Sequence, residues 1–342
     1  MNNRINVAVL GSTGYVGMEL VEILSNHENV DINFLGSDSF YDQHLTNIAN
    51  TKKYSKLPIL KNNKSFDPSI SDYVFLALPH SISNKYVKEI YGKIKIIDLS
   101  ADFRLDDVNT YIENYGNNHS CSQYLQNFIY GLVEINRSNI IEANNIAVPG
   151  CYPTSILLPL IPLLKENLIK SENIIIDSKS GFSGAGKKFD INNIHFNSEL
   201  NFYNYNTNSH RHISEIRQEL LKFSLNKNIS FSFNPHILPN FRGMMSTIYC
   251  DLNDNIKKND IIDLFKNYDE NNYFIKFIEN ETRLDIFSIK NTNFCKIKLF
   301  NHHSENKIII VSVIDNLIKG ASGQAVQCLN LMENIHETIS LK

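Results

Sequence analysis

The sequence predicts an α/β protein: an N-terminal doubly wound, Rossmann-type parallel sheet, then an α+β domain around a mostly antiparallel sheet. Three observations predict it. Apolar runs alternate with helical patterns over the first 150 residues, which implies parallel strands joined by helices. A glycine-rich turn, Gly11-Ser-Thr-Gly14-Tyr-Val-Gly17, separates the first run from the first helical pattern. Beyond that half, longer strand patterns follow one another with fewer helices between them. A chain of 342 residues is long enough for two such domains.

In order, Ile5-Asn-Val-Ala-Val-Leu10 reads as the first strand, and Val16, Leu20, Ile23 and Leu24 then recur at helical spacing. Residues 31–35, 73–78, 95–98 and 146–148 supply further short strands. The polar stretches 40–71 and 109–127 read as loops and short elements. A helix over 153–164 begins at Pro153, and Pro159 should kink or shorten it. A strand at 173–178 follows, and Ser214 is the expected N-cap of a helix over 215–223. Strands at 230–237, 246–252, 294–301 and 307–314 complete the second sheet. Last, residues 322–339 place Ala325, Val326, Leu329, Met332 and Ile335 on one stripe, an amphipathic helix that needs a partner surface.

Composition narrows the function. The formal charge of −3 lacks the basic excess of a general nucleic-acid binder. The longest apolar run, 156–164, is interrupted by Pro159 and Pro162 and falls far short of the ~20 residues that cross a bilayer. No secretory signal is visible at the N-terminus, so a cytoplasmic address is expected. The five cysteines are widely spaced and include no C-x-x-C pair, which argues against both a disulfide framework and a zinc cage.

The glycine turn has the context of a dinucleotide fingerprint, strand before and helix after. Gly11 permits the tight turn, Gly14 lets backbone N–H groups approach a pyrophosphate, and Gly17 allows close helix packing; Ser12, Thr13, Tyr15 and Val16 share the loop. Asp38, in Gly36-Ser37-Asp38-Ser39, ends the second strand where a carboxylate would accept hydrogen bonds from a ribose. Read alone it favours NAD over NADP. Pro79, in Leu78-Pro-His-Ser81, follows the third strand and should line the same crevice.

Cys151 stands between a strand and a helix, where the helix dipole and unpaired N–H groups favour a thiolate nucleophile. His210-Arg211-His212 offers imidazoles near a helix start and a forked anion clamp between them. A metal role is disfavoured because no third ligand accompanies the pair. The loop Ser180-Gly-Phe-Ser183-Gly184-Ala-Gly-Lys187 is rich in N–H groups that can form an anion nest. Arg104, at the exit of the fourth strand, is a second candidate anion contact.

These residues resemble the N-acetyl-gamma-glutamyl-phosphate reductase family, relatives of aspartate-semialdehyde dehydrogenase. The resemblance runs from Val7 to Leu331 and is carried by Gly11–Gly17, Leu76-Ala-Leu-Pro-His80, Asp98-Leu-Ser-Ala-Asp-Phe-Arg104, Pro149-Gly-Cys-Tyr-Pro-Thr154, Ser180–Lys187, His210-Arg-His212 with Glu215-Ile216, Arg242-Gly243, Asp315-Asn316 and Lys319-Gly-Ala-Ser-Gly-Gln-Ala325. It implies a glyceraldehyde-3-phosphate dehydrogenase-like architecture. Residues 1–148 and 315–342 would form the dinucleotide-binding domain, with the last helix returning to it, and 149–314 the catalytic and oligomerisation domain. It further implies Cys151 as nucleophile and the His210/His212 pair as acid/base, assigned to His210. Arg104, Ser183, Gly184, Arg211 and His212 would bind substrate; Ser37, Ser183 and Asn316 would join the cofactor contacts. The implied cofactor is NADP, with NAD kept open by Asp38, and no metal. The implied reaction is reduction of N-acetyl-L-glutamyl 5-phosphate to the semialdehyde plus inorganic phosphate, through a cysteine thioester, by a homodimer or homotetramer. Four departures stand out: Val148 replaces the asparagine usual before Pro-Gly-Cys, Asp38 replaces a basic or neutral residue, and Val133 and Ser214 replace prolines. Competing readings are the same chemistry on an aspartyl or N-acylated aminoadipyl phosphate, and a dinucleotide-binding regulator without thiol-dependent turnover.

Overall fold

The computed structural model describes residues 4–187, 189–196, 199–280 and 283–342. The chain divides into two compact units, Met1–Pro149 with Ala321–Leu341, and Gly150–Gly320 with Lys342.

The first unit runs β1 (Ile5–Leu10), α1 (Tyr15–Ser25), β2 (Val30–Gly36), α2 (Leu45–Ala49), β3 (Tyr73–Leu76), α3 (Ser83–Ile90), β4 (Lys95–Asp98), α4 (Val108–Tyr115), β5 (Ile129–Tyr130), α5 (Val133–Ile141) and β6 (Asn145–Ala147). Its sheet is wholly parallel, in the order β2-β1-β3-β4-β6-β5. Residues 7–10 and 73–76 are buried throughout, as strands covered on both faces must be. Strand order reverses at β1, which has β2 on one side and β3 on the other. Ligands of open α/β sheets bind at the strand C-termini beside such a reversal, and there Gly11 follows β1. The polar stretch 109–127 holds more structure than its composition suggests. Asp107 caps α4 by accepting from Thr110 N at 2.8 Å, and Gly116 ends it at φ 66°.

The expected amphipathic helix at 322–339 is shorter and more deeply buried. It spans Gly323–Met332, all ten residues are buried, and it packs between α1 and α5. Asn334, at φ 54°, turns the chain, and residues 335–339 fold back over the helix. Asn330 ties the three pieces together: its Oδ1 meets His27 Nε2 at 2.8 Å and its Nδ2 donates to Ile339 O at 3.0 Å.

The second unit contains α6 (Cys151–Lys165), β7 (Ile174–Gly181), β8 (His195–Phe196), β9 (Glu199–Leu200), β10 (Tyr203–Asn204), α7 (His212–Phe223), β11 (Phe231–Leu238), β12 (Met244–Asp251), α8 (Lys258–Asn271), β13 (Ile275–Phe277), β14 (Cys295–Asn301) and β15 (Lys307–Ile314). Seven strands form a mixed sheet, β10-β11-β7-β12-β15-β14-β13, parallel only at β11/β7 and β14/β13.

Two local expectations fail here. α6 begins two residues before Pro153, with Gly150 as N-cap, and runs unbroken through Pro159 and Pro162. Every residue from 152 to 164 is buried, so packing against α7, β12 and β15 outweighs the local cost of the prolines. A chain of buried hydroxyls seats the helix on the sheet: Ser155 Oγ meets Ser246 Oγ at 2.7 Å, and Ser246 Oγ meets Ser178 Oγ at 2.7 Å. Ser214 is not a cap either. α7 starts at His212, and Ser214 lies inside its first turn. No helix of the described residues is long and apolar enough to cross a membrane.

Candidate active site

In the first unit the glycine loop has the geometry its spacing anticipates. Gly11 sits at φ 78°, and a Cβ there would lie 2.3 Å from Ala77 O; a Cβ on Gly17 would lie 2.2 Å from Gly11 O. Gly14, the N-cap of α1, is different. Its nearest obstruction is Gly11 O at 3.5 Å, so space is open at the helix N-terminus. Tyr15 and Val16, half-buried, open α1. Ser12 Oγ donates to Gly36 O at 2.9 Å and Thr13 Oγ1 meets Ser37 Oγ at 2.9 Å, sewing the glycine loop to the loop after β2.

Asp38 is exposed, and its Oδ1 accepts from Asn63 N at 3.3 Å. Asn63 Oδ1 in turn accepts from Gly11 N at 3.1 Å, so this buried asparagine brackets both loops. Sequence reasoning missed it, because one asparagine in a polar stretch full of them carries no distinguishing signal.

Pro79 and His80 are exposed in the loop after β3. That loop is held from below by two buried carboxylates. Asp102 accepts from Ser81 N at 2.7 Å and Asn84 N at 2.9 Å; Asp98 accepts from Ser83 Oγ at 2.6 Å. Burial, reinforced by the charge of Asp102, pushes the Asp98 carboxyl up to about 7. Arg104 is buried, with Nε donating to Val148 O at 2.8 Å and Nη2 to Leu99 O at 3.0 Å. Two of the donors expected to meet an anion therefore hold backbone carbonyls.

In the second unit, Cys151 is the half-buried first residue of α6, and the other four cysteines are buried. Gly320 lies against it: a Cβ there would stand 2.8 Å from Cys151 Cβ. His210 and His212 are both buried, with ring centroids 4.8 Å apart. His210 Nδ1 accepts from His212 N at 3.1 Å, which assigns the proton of the neutral ring to Nε2. Nε2 faces Tyr205 OH at 3.4 Å, Tyr205 OH donates to Tyr152 OH at 3.3 Å, and Tyr152 OH donates to His236 O at 3.1 Å. Tyr152 and Phe233 set their rings edge-on to His210. Burial, with the charge of Arg211 second, pushes the His210 imidazole down to about 4, so it is neutral at neutral pH. Burial pushes the Tyr205 phenol up to about 12, with the charge of Cys151 adding to it. Tyr205 also escaped sequence reasoning, since it sits among polar residues with no periodicity. Arg211 is exposed at the start of α7.

The loop 180–187 is a knot more than an open nest. The N–H groups of Gly181, Phe182 and Ser183 donate to the carbonyls of Gly243, Asn240 and Phe241 at 2.8, 2.9 and 2.9 Å, so these three are not donors to a nest. Ser183 Oγ accepts from Asn316 Nδ2 at 2.9 Å, and Asn316 Oδ1 accepts from Gly243 N at 2.8 Å. Arg242 and Asp315 form a buried ion pair at 3.4 Å beside them. Gly184 is exposed on this knot. Among the described residues no group of three or more His, Cys, Asp or Glu is arranged to hold a metal ion.

The neutral state of His210 has a measurable consequence. Its folded value, about 4, lies below the ordinary 6.5, so the unfolded chain binds more protons between those limits and stability falls as pH drops through them. Between pH 7 and pH 5 this residue alone costs about 2 kcal/mol. Urea unfolding at the two pH values should show a pH-linked loss smaller by that amount in His210→Asn, and an equal loss in both proteins would rule the assignment out.

Comparison with known proteins follows the same division. Residues 6–143 match the semialdehyde dehydrogenase NAD binding domain, and residues 151–316 the semialdehyde dehydrogenase dimerisation domain. The chain is 43% identical over 343 residues to an N-acetyl-gamma-glutamyl-phosphate reductase of Ehrlichia ruminantium (strain Gardel), covering 100% of this chain and 98% of that protein. It is 40% identical over 337 residues to a probable chloroplastic N-acetyl-gamma-glutamyl-phosphate reductase of Arabidopsis thaliana, covering 98% of this chain and 84% of that protein. The fold is that of aspartate semialdehyde dehydrogenase II from Vibrio cholerae, solved in complex with ASA, with a TM-score of 0.76 at 19% identity over 97% of this chain and 98% of that one.

Proposed function

This chain belongs to the N-acetyl-gamma-glutamyl-phosphate reductase family of semialdehyde dehydrogenases, and from that premise we propose that it reduces N-acetyl-L-glutamyl 5-phosphate to N-acetyl-L-glutamate 5-semialdehyde in arginine biosynthesis. The observation that carries the reading is one chain with both a dinucleotide-type glycine loop and a cysteine at a helix N-terminus, in a unit that also buries the His210/His212 pair.

The first unit's loop suits a dinucleotide, since of its three glycines Gly11 and Gly17 are tightly packed and Gly14, at the start of α1, leaves open space. The Gly11–Gly17 loop with Ser37 and Asp38 would hold it, and a bound nicotinamide dinucleotide supplies the hydride. Cys151 attacks the acyl carbon, the carbon–oxygen bond to phosphate breaks with its electron pair leaving on phosphate, and a thioester remains. After reduction, the carbon–sulfur bond breaks, the pair returns to sulfur, and the semialdehyde departs. The His210/His212 pair handles the protons, His210 through Nε2, the nitrogen facing Tyr205. Arg211, Ser183 and Gly184 are assigned to the substrate side. Arg104 is reassigned to holding the segment before Pro149, because its Nε and Nη2 bind carbonyls. Register neighbours Ile175 and Tyr249 lie exposed on the outer face of the mixed sheet, 52% and 38% accessible, where a second copy would pack.

Phosphate-dependent oxidation of N-acetylglutamate semialdehyde, followed as reduction of the dinucleotide, tests the activity directly. No phosphate dependence would reject it. The proposed dinucleotide is NADP, with Asp38 narrowing its margin over NAD because a carboxylate repels a 2′-phosphate. Asp38→Ser is therefore expected to raise the NADPH-to-NADH ratio of kcat/KM about tenfold. An unchanged ratio would remove Asp38 from the ribose site.

A further inference from the structure

The motif His210–Ile216 contains an acid, Glu215, for which the reaction above has no use. Glu215 is 1% exposed, on the first turn of α7. Burying a carboxylate is costly unless hydrogen bonds compensate, so its partners reveal why an acid stands there. Its Oε1 accepts from Gly150 N at 2.8 Å.

Gly150 is the residue before Cys151, and its position makes that bond consequential. As the N-cap of α6 its N–H lies outside the helical ladder, and it caps nothing with a side chain of its own. The residue before it, Pro149, has no N–H to give. Gly150 N is thus the first backbone donor upstream of the thiol. On the other side of the same residue, Gly150 O accepts from Thr154 N and Thr154 Oγ1, each at 2.9 Å. Gly320 closes against Cys151 Cβ itself. Glu215 therefore supplies the upstream hold on the turn that presents Cys151, and it reaches across from the helix that carries His212.

Taking Cys151 as the nucleophile, as proposed above, the geometry points to Glu215 as its positioning residue: the carboxylate grips the Gly150 N–H and so fixes the angle at which the thiol leaves α6. It acts on the reaction through that backbone bond. What matters is the reach of an acceptor oxygen, and the formal charge is secondary.

Two conservative variants separate reach from charge while leaving the α7 packing nearly intact. Glu215→Gln keeps an acceptor oxygen at the same distance; Glu215→Asp keeps the charge but falls short by roughly one methylene, beyond hydrogen-bonding range. Glu215→Gln is expected to retain most of kcat. Glu215→Asp should lower kcat about tenfold or more with KM for the acyl phosphate within about twofold, because a small misplacement of a reacting group is expensive while substrate contacts are untouched. Alkylation of Cys151 by iodoacetamide, located by peptide mass spectrometry, needs neither acyl phosphate nor dinucleotide. It should slow at least about threefold in Glu215→Asp and less in Glu215→Gln. A Gln variant as impaired as the Asp variant, or an Asp variant with wild-type kcat, overturns the inference. The substrate-free alkylation arm reads the setting of the thiol even if the assigned reaction is wrong, so the two failures are distinguishable.

Discussion

Replacing Cys151 with serine is expected to lower turnover by about 10³-fold or more while leaving dinucleotide affinity unchanged. The argument is positional. Cys151 is the first residue of α6, where the helix dipole favours negative charge on an attacking atom. A serine hydroxyl stays protonated there and attacks an acyl phosphate poorly. The dinucleotide loop belongs to the other unit, so binding of NADPH, read by its fluorescence, serves as the folding control. A serine variant with turnover within tenfold of the parent would leave the covalent route without its nucleophile.

Gly11→Ala is expected to be the most damaging small change in the first unit. The new Cβ meets Ala77 O at 2.3 Å and Ala77 C at 2.9 Å, and the backbone sits at φ 78°. The left-handed conformation costs an alanine about 1–2 kcal/mol, and displacing a packed strand end costs about 1–3 kcal/mol more. Moving that end also pulls on Asn63, which accepts from Gly11 N, so the Kd for the dinucleotide should rise at least about tenfold. Gly116→Ala isolates the two causes. Its φ of 66° is similar but nothing lies within 4 Å of the added Cβ, so it should lose only the conformational part. Equal losses in thermal unfolding for the two variants would show that the contact with Ala77 is unimportant.

Legibility in the sequence tracked the range of the interaction. The parallel sheet was readable because its buried strands are short apolar runs, and the loop from Gly11 to Gly17 because its strand-turn-helix context and the close approach of Gly17 to Gly11 are local, although the contact of Gly11 with Ala77 is not. The mixed sheet was readable from its longer strand runs with few helices between them, such as β15. What failed depended on distant partners. Pro159 looked like a helix breaker until the burial of α6 on all sides was visible. The stripe from Ala325 to Met332 suggested one buried face, but the fold-back over Asn330 covers the other. The loop from Ser180 to Lys187 has the composition of an anion nest, yet residues 240–243, distant in sequence, take the donors of Gly181, Phe182 and Ser183. Asn63, Tyr205 and the bond from Glu215 to Gly150 carry no local signature at all. They are legible only when β2 and the 60s, or α6 and α7, are seen side by side.

The central claim is a thioester on Cys151. Incubating the enzyme with N-acetylglutamate semialdehyde and oxidised dinucleotide, without phosphate, should stop the reverse reaction at the acyl-enzyme. Mass spectrometry of the intact chain should then show one N-acetylglutamyl adduct, peptide mapping should place it on Cys151, and added phosphate should discharge it. Phosphate-dependent turnover with no adduct on Cys151, or with the same adduct in Cys151→Ser, would contradict the account.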